Sequence, residues 1–125
     1  MNNKGFSLLE VLIGLVVLAI GILAIAGMQI VAIRGNYFSG SLTQATILAQ
    51  DKMEELRNTS YDNVVSGNDT KTIPPSGGGT TFTRRWTVVN TTSTLKTITV
   101  NVTWTEAVGG NNVTRKVEWS TIRAK

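Results

Sequence analysis

The chain has 125 residues, 42% of them hydrophobic, a formal charge of +4, and neither Cys nor His. Without Cys there is no disulfide or thiolate metal site, and without His the commonest general base and metal ligand is missing. The length fits one domain at most, and a mild positive charge singles out no nucleic-acid or anionic-membrane partner.

The first predicted element is apolar. From Phe6 to Ile33 only Ser7, Glu10, Gln29 and small residues interrupt the hydrophobic side chains, and residues 11–28 carry no polar group. About 20 such residues cross a bilayer as a helix. Lys4 lies before the run and Arg34 after it, which favours a cytoplasmic N-terminus. One reading is a plain membrane anchor. Another is a secretory signal peptide, since Ala24-Ile25-Ala26 has the A-x-A form of a cleavage site before Gly27. The run is longer than the usual signal core of about 7–15 residues, and neither reading explains Glu10. A carboxylate in hydrocarbon costs about 2.5–3.5 kcal/mol on insertion scales, so it marks a functional position unless it snorkels to the head groups.

With no proline before Pro74, the helical pattern extends from about residue 6 to about residue 58, roughly 80 Å at helical rise. In its second half Leu42, Ala45, Ala49, Met53 and Leu56 recur at spacings of three and four. They predict a stripe that packs on the chain's own domain, with Asp51, Lys52, Glu54, Glu55 and Arg57 on the other faces. Gly35 and Gly40 bound a weaker patch where bending or fraying is expected. Gly14, Gly21 and Gly27 could admit close helix contacts or local melting.

Residues 61–80, with Pro74-Pro75-Ser76-Gly77-Gly78-Gly79, read as a linker with little structure of its own. Strands follow. Phe82, Trp86 and Val88 alternate, with Arg84 breaking the face. Ile98, Val100, Val102 and Trp104 alternate with Thr and Asn, and Val113, Val117 and Trp119 mark a third strand. Turns are expected at residues 90–94 and at Gly109-Gly110-Asn111-Asn112. Trp86, Trp104 and Trp119 on adjacent strands are expected in the core. Arg84, Arg85, Lys96, Arg115 and Lys116 form a candidate basic patch, with solvated surface charge as its ordinary alternative. The fold class is α+β: a long N-terminal helix, membrane-spanning in its first half, packed by its second half on a small antiparallel β-meander.

Gly5-Phe6-Ser7-Leu8-Leu9-Glu10-Val11 resembles the prepilin cleavage motif of type IV pilins and type II secretion pseudopilins. The resemblance implies three segments: leader 1–5, transmembrane and filament-core helix 6–34, and exported globular domain 35–125. It implies cleavage after Gly5 by a prepilin peptidase/N-methyltransferase and N-methylation of Phe6. It also implies inner-membrane residence with the N-terminus inside, then assembly with major and minor pilins through the pilus machinery. Glu10 would pair with the Phe6 amine of a neighbouring subunit, because opposite charges attract strongly in low dielectric. Residues 19–29 and 48–57 are similar to those of minor pilins, low-abundance subunits that initiate, cap or modify a filament. A minor pseudopilin is the alternative. Some members of the family bind DNA, a partner weakly indicated here because Arg84 and Arg85 point to opposite faces. The resemblance implies no cofactor, metal or catalytic residue.

Overall fold

A computed structural model describes residues 5–74 and 79–125. Lys4 and the rest of the expected leader before Gly5, and Pro75 to Gly78 of the expected linker, lie outside the described residues. The elements in order are helix α1 (Leu8–Asn58), a 3-10 turn (Tyr61–Asn63), and strands β1 (Gly67–Ile73), β2 (Thr80–Asn90), β3 (Leu95–Val108) and β4 (Asn111–Ala124). The strands form one antiparallel sheet in the order β1-β2-β3-β4. The α+β class with a long first helix and a meander is therefore observed. The chain divides into two compact units, residues 1–39 and residues 40–125.

The first unit is helical and has no interior. Every described residue up to Gly40 is exposed, and apolar side chains look outward all round, from Leu8 at 81% exposure to Ile33 at 68%. The helix is long and apolar enough to cross a membrane. Helix α1 continues through Gly35 and Gly40. Methyl groups added at Gly14, Gly21 or Gly27 would meet nothing within 4 Å.

The second unit builds its core between residues 41–56 of α1 and one face of the sheet. Ala45, Leu48, Ala49, Met53 and Leu56 form one cluster with Phe82, Ile98, Val100, Val102 and Trp104, and Val64 belongs to it as well. β3 supplies most of this face because Ile98, Val100, Val102 and Trp104 share one side of a central strand. The expected stripe needs two corrections. Leu42 stands exposed and Ser41 takes the buried place, and Lys52, expected on an outer face, is buried. Lys52 is accommodated because its ammonium lies 3.9 Å from the centre of the Trp86 ring and donates to Glu55 Oε1 at 2.8 Å.

The expected linker also requires correction: residues 67–73 form β1. Its Gly-Asn-Asp-Thr-Lys-Thr-Ile run carries no apolar alternation, so pattern alone cannot find it. Pairing with β2 from Gly67↔Trp86 to Ile73↔Thr80 orders it instead. Gly67 is required there, because a Cβ would stand 2.6 Å from the Trp86 ring. The β3–β4 turn is shorter than expected. Only Gly109 and Gly110 form it, with φ of 60° and 84°, the two positive angles of a tight hairpin that glycine adopts without strain. At the β2–β3 turn, Thr92 Oγ1 accepts from Leu95 N–H at 3.1 Å.

Candidate functional site

The N-terminal motif begins α1. Gly5, Phe6 and Ser7 precede the first helical residue, Leu8. Ser7 acts as the helix cap. Its carbonyl accepts from Glu10 N–H at 3.0 Å and Val11 N–H at 3.2 Å, and its Oγ accepts from Leu9 N–H at 3.3 Å. Glu10 falls in the first turn, where a carboxylate complements the positive end of the helix dipole. The sequence reading did not identify this cap. Its signal was present as Ser-x-x-Glu ahead of an apolar run, the pattern of a capping box.

Gly5, Phe6 and Glu10 are all exposed, Phe6 at 83%. Nothing lies within 4 Å of a Cβ built at Gly5, so among the described residues the Gly5–Phe6 bond is open. Glu10 presents its carboxylate from a helix whose neighbouring residues Leu9, Val11, Ile13 and Gly14 are exposed as well. This arrangement offers one charge, at a known height, on an otherwise apolar rod surface. A helix apolar on every side suits contact with another apolar helix or with a lipid phase.

The basic residues do not gather into one patch. Arg84 is buried at 6% exposure, on the same face as Phe82. Its Nε donates to Asp69 Oδ1 at 2.7 Å, Nη2 donates to Asp69 Oδ2, and Nη1 reaches the Leu48 carbonyl at 3.3 Å. One guanidinium thus ties β1, β2 and α1 together. Its hydrogen bonds hold the Asp69 carboxyl below its ordinary 3.8, with burial opposing, and the carboxylate raises the Arg84 pKa in turn. Arg84 is neither part of a patch nor a solvated charge, because the fold buries it with a partner. Lys96 donates to the Tyr61 carbonyl at 2.6 Å, and Arg115 faces buried Glu106 at 3.8 Å. Arg85 and Lys116 are on the other face of the sheet, separated by β3.

The tryptophans also divide. Trp104 is core at 2% exposure and donates to Glu106 Oε1 at 2.8 Å. Trp86 packs against the core and donates to the Val65 carbonyl at 3.0 Å. Trp119 departs from expectation at 41% exposure. It is level with Val100 on the helix-facing side, but β4 is the edge strand and Trp119 stays partly open. Trp119 lines an open groove of about 610 Å³ with Gln50, Met53, Glu54, Arg57 and Asn58. The groove presents one acid and one base from the same helix, no arrangement for acid–base chemistry. Among the described residues no three His, Cys, Asp or Glu side chains come together to hold a metal ion.

A family model, the prokaryotic N-terminal methylation motif, matches residues 1–26. No curated protein and no solved structure matches the chain. The motif fits a type IV pilin or pseudopilin subunit. It implies processing by prepilin peptidase and assembly with other pilins, and it points to a structural subunit rather than an enzyme. With the apolar helix it fits inner-membrane anchoring before assembly.

Proposed function

We propose that the chain is a minor type IV pilin, similar to the pilus modification protein PilV, which helps initiate, cap or modify the filament. Residues 1–5 are the leader, 6–34 the membrane and filament-core helix, and 35–125 the exported domain. The leader is cut after Gly5 and the new amine of Phe6 is methylated. On assembly, Glu10 of one subunit pairs with the Phe6 amine of a neighbour. The single observation that carries the reading is the methylation motif at the head of a helix apolar on every side. The minor role rests on the similarity of residues 19–29 and 48–57 to PilV. A minor pseudopilin of type II secretion shares the same N-terminal chemistry, and the genes beside this one separate the two. A DNA role is not favoured, because the five basic residues are divided between the two faces of the sheet and Arg84 is buried with Asp69.

The mature N-terminus tests the processing. Mass spectrometry of protein from its own cells should find N-methylated Phe6. A chain starting at Gly27 would show an ordinary signal peptide, and an intact Met1 a plain anchor. Glu10→Ala should leave membrane insertion unchanged and cut incorporation into sheared pili at least tenfold by immunoblot. Full incorporation of that variant sinks the pairing.

A further inference from the structure

The apolar segment matches the thickness of a bilayer in length. Val11 and Ile33 are 22 residues apart on α1, about 33 Å at helical rise, against a hydrocarbon core of about 30 Å. Spanned with the common tilt of about 20°, that length matches the core. Glu10 and Arg34, the two ionisable groups that flank it, then lie just beyond the hydrocarbon on opposite sides.

The far end has more than a charge. Arg34, Tyr37 and Phe38 fall at spacings of three and four, on one side of α1. Tyr37 is 57% exposed and Phe38 36%. An arginine that pairs with phosphate, beside a tyrosine with an apolar ring and a polar tip, is the chemistry of the head-group layer. Tyr37 stands about 40 Å along the helix from Glu10, close to the full thickness of a bilayer with its head groups. The near end pulls the other way. Phe6, Leu8 and Leu9 are apolar and 65–83% exposed, and burying them would draw the helix inward by its N-terminus.

We infer that Arg34, Tyr37 and Phe38 form a phospholipid head-group anchor that sets the depth of α1 and holds Glu10 at the opposite interface. The inference rests on the membrane-span part of the function proposed above. In an inserted subunit Glu10 is then hydrated. Its carboxylate loses water only on entering an assembly, so the charge penalty acts on docking register and not on residence in the membrane.

The chain contains no Cys, so single spin labels can be placed without background. Full-length protein is reconstituted in vesicles of phosphatidylethanolamine and phosphatidylglycerol, with labels at Leu18→Cys, Ile22→Cys and Ala26→Cys in turn. Relative access of oxygen and of a water-soluble nickel chelate reads the depth. Ile22, midway between Glu10 and Arg34, should be deepest, and should remain so in Glu10→Leu, where the anchor alone sets the depth. Adding Arg34→Ala, Tyr37→Ala and Phe38→Ala to Glu10→Leu should move the deepest point toward Leu18 by about one turn (~5 Å). Movement in Glu10→Leu alone, or none in the combined variant, overturns the anchor while leaving a membrane span. Labels all open to the nickel chelate overturn the span itself, and the anchor with it.

Discussion

Residues 8–33 and 41–56 lie on one unbroken helix, yet their side chains meet different surroundings. In the first stretch leucine, isoleucine and valine are exposed on every side. In the second, seven residues at helical spacing are buried, and two of them, Ser41 and Lys52, are polar. Hydrophobicity and burial are thus inverted along α1. A helix apolar all round needs an apolar medium outside the chain, whereas a helix with one apolar stripe can bury it on its own sheet. The first stretch is made for lipid or other helices, and the second for its own domain.

The largest effect that tests this contrast is expected in the core. Trp104→Ala removes a buried ring packed against Phe82 at 5.8 Å between centroids and leaves Glu106 without its indole donor. Unfolding of the sheet unit, followed by urea titration of the full chain in detergent, should lose about 3–5 kcal/mol. An unchanged midpoint would show that the core is elsewhere.

A smaller loss is expected at the buried ion pair. Arg84→Met keeps much of the volume but frees Asp69, which is a third exposed and can rehydrate. The cost should be about 1–3 kcal/mol, with faster amide exchange concentrated in β1. Exchange rising evenly over the sheet would contradict the role given to this pair. A carboxyl held low by folding contributes its full stabilisation above the unfolded value. That contribution is lost as the pH falls from about 3.8 through the lower folded value. The Arg84→Met chain should therefore lose less stability than the parent over that acid window.

The smallest effect is expected in the first stretch. Leu15→Ala should change the urea midpoint of the sheet unit by no more than about 0.5 kcal/mol, because Leu15 is exposed. A core-sized loss there would erase the distinction between the two regions.

Local chemistry determined a good part of this molecule in advance. Uninterrupted apolar residues, no proline and an exact period of two in β3 specify a long helix and a central strand, since both patterns are set within a few residues of chain. The motif from Gly5 to Glu10 is likewise contiguous, so it can be read without a fold. What the chain could not announce is where distant groups meet. β1 is ordered by its neighbour and not by its own pattern, Arg84 is buried because Asp69 and the Leu48 carbonyl come to it, and Lys52 because Trp86 does. Trp119 remains half open because β4 ends the sheet. A polar side chain can be buried only when partners arrive from other elements, and those arrivals belong to the tertiary structure alone.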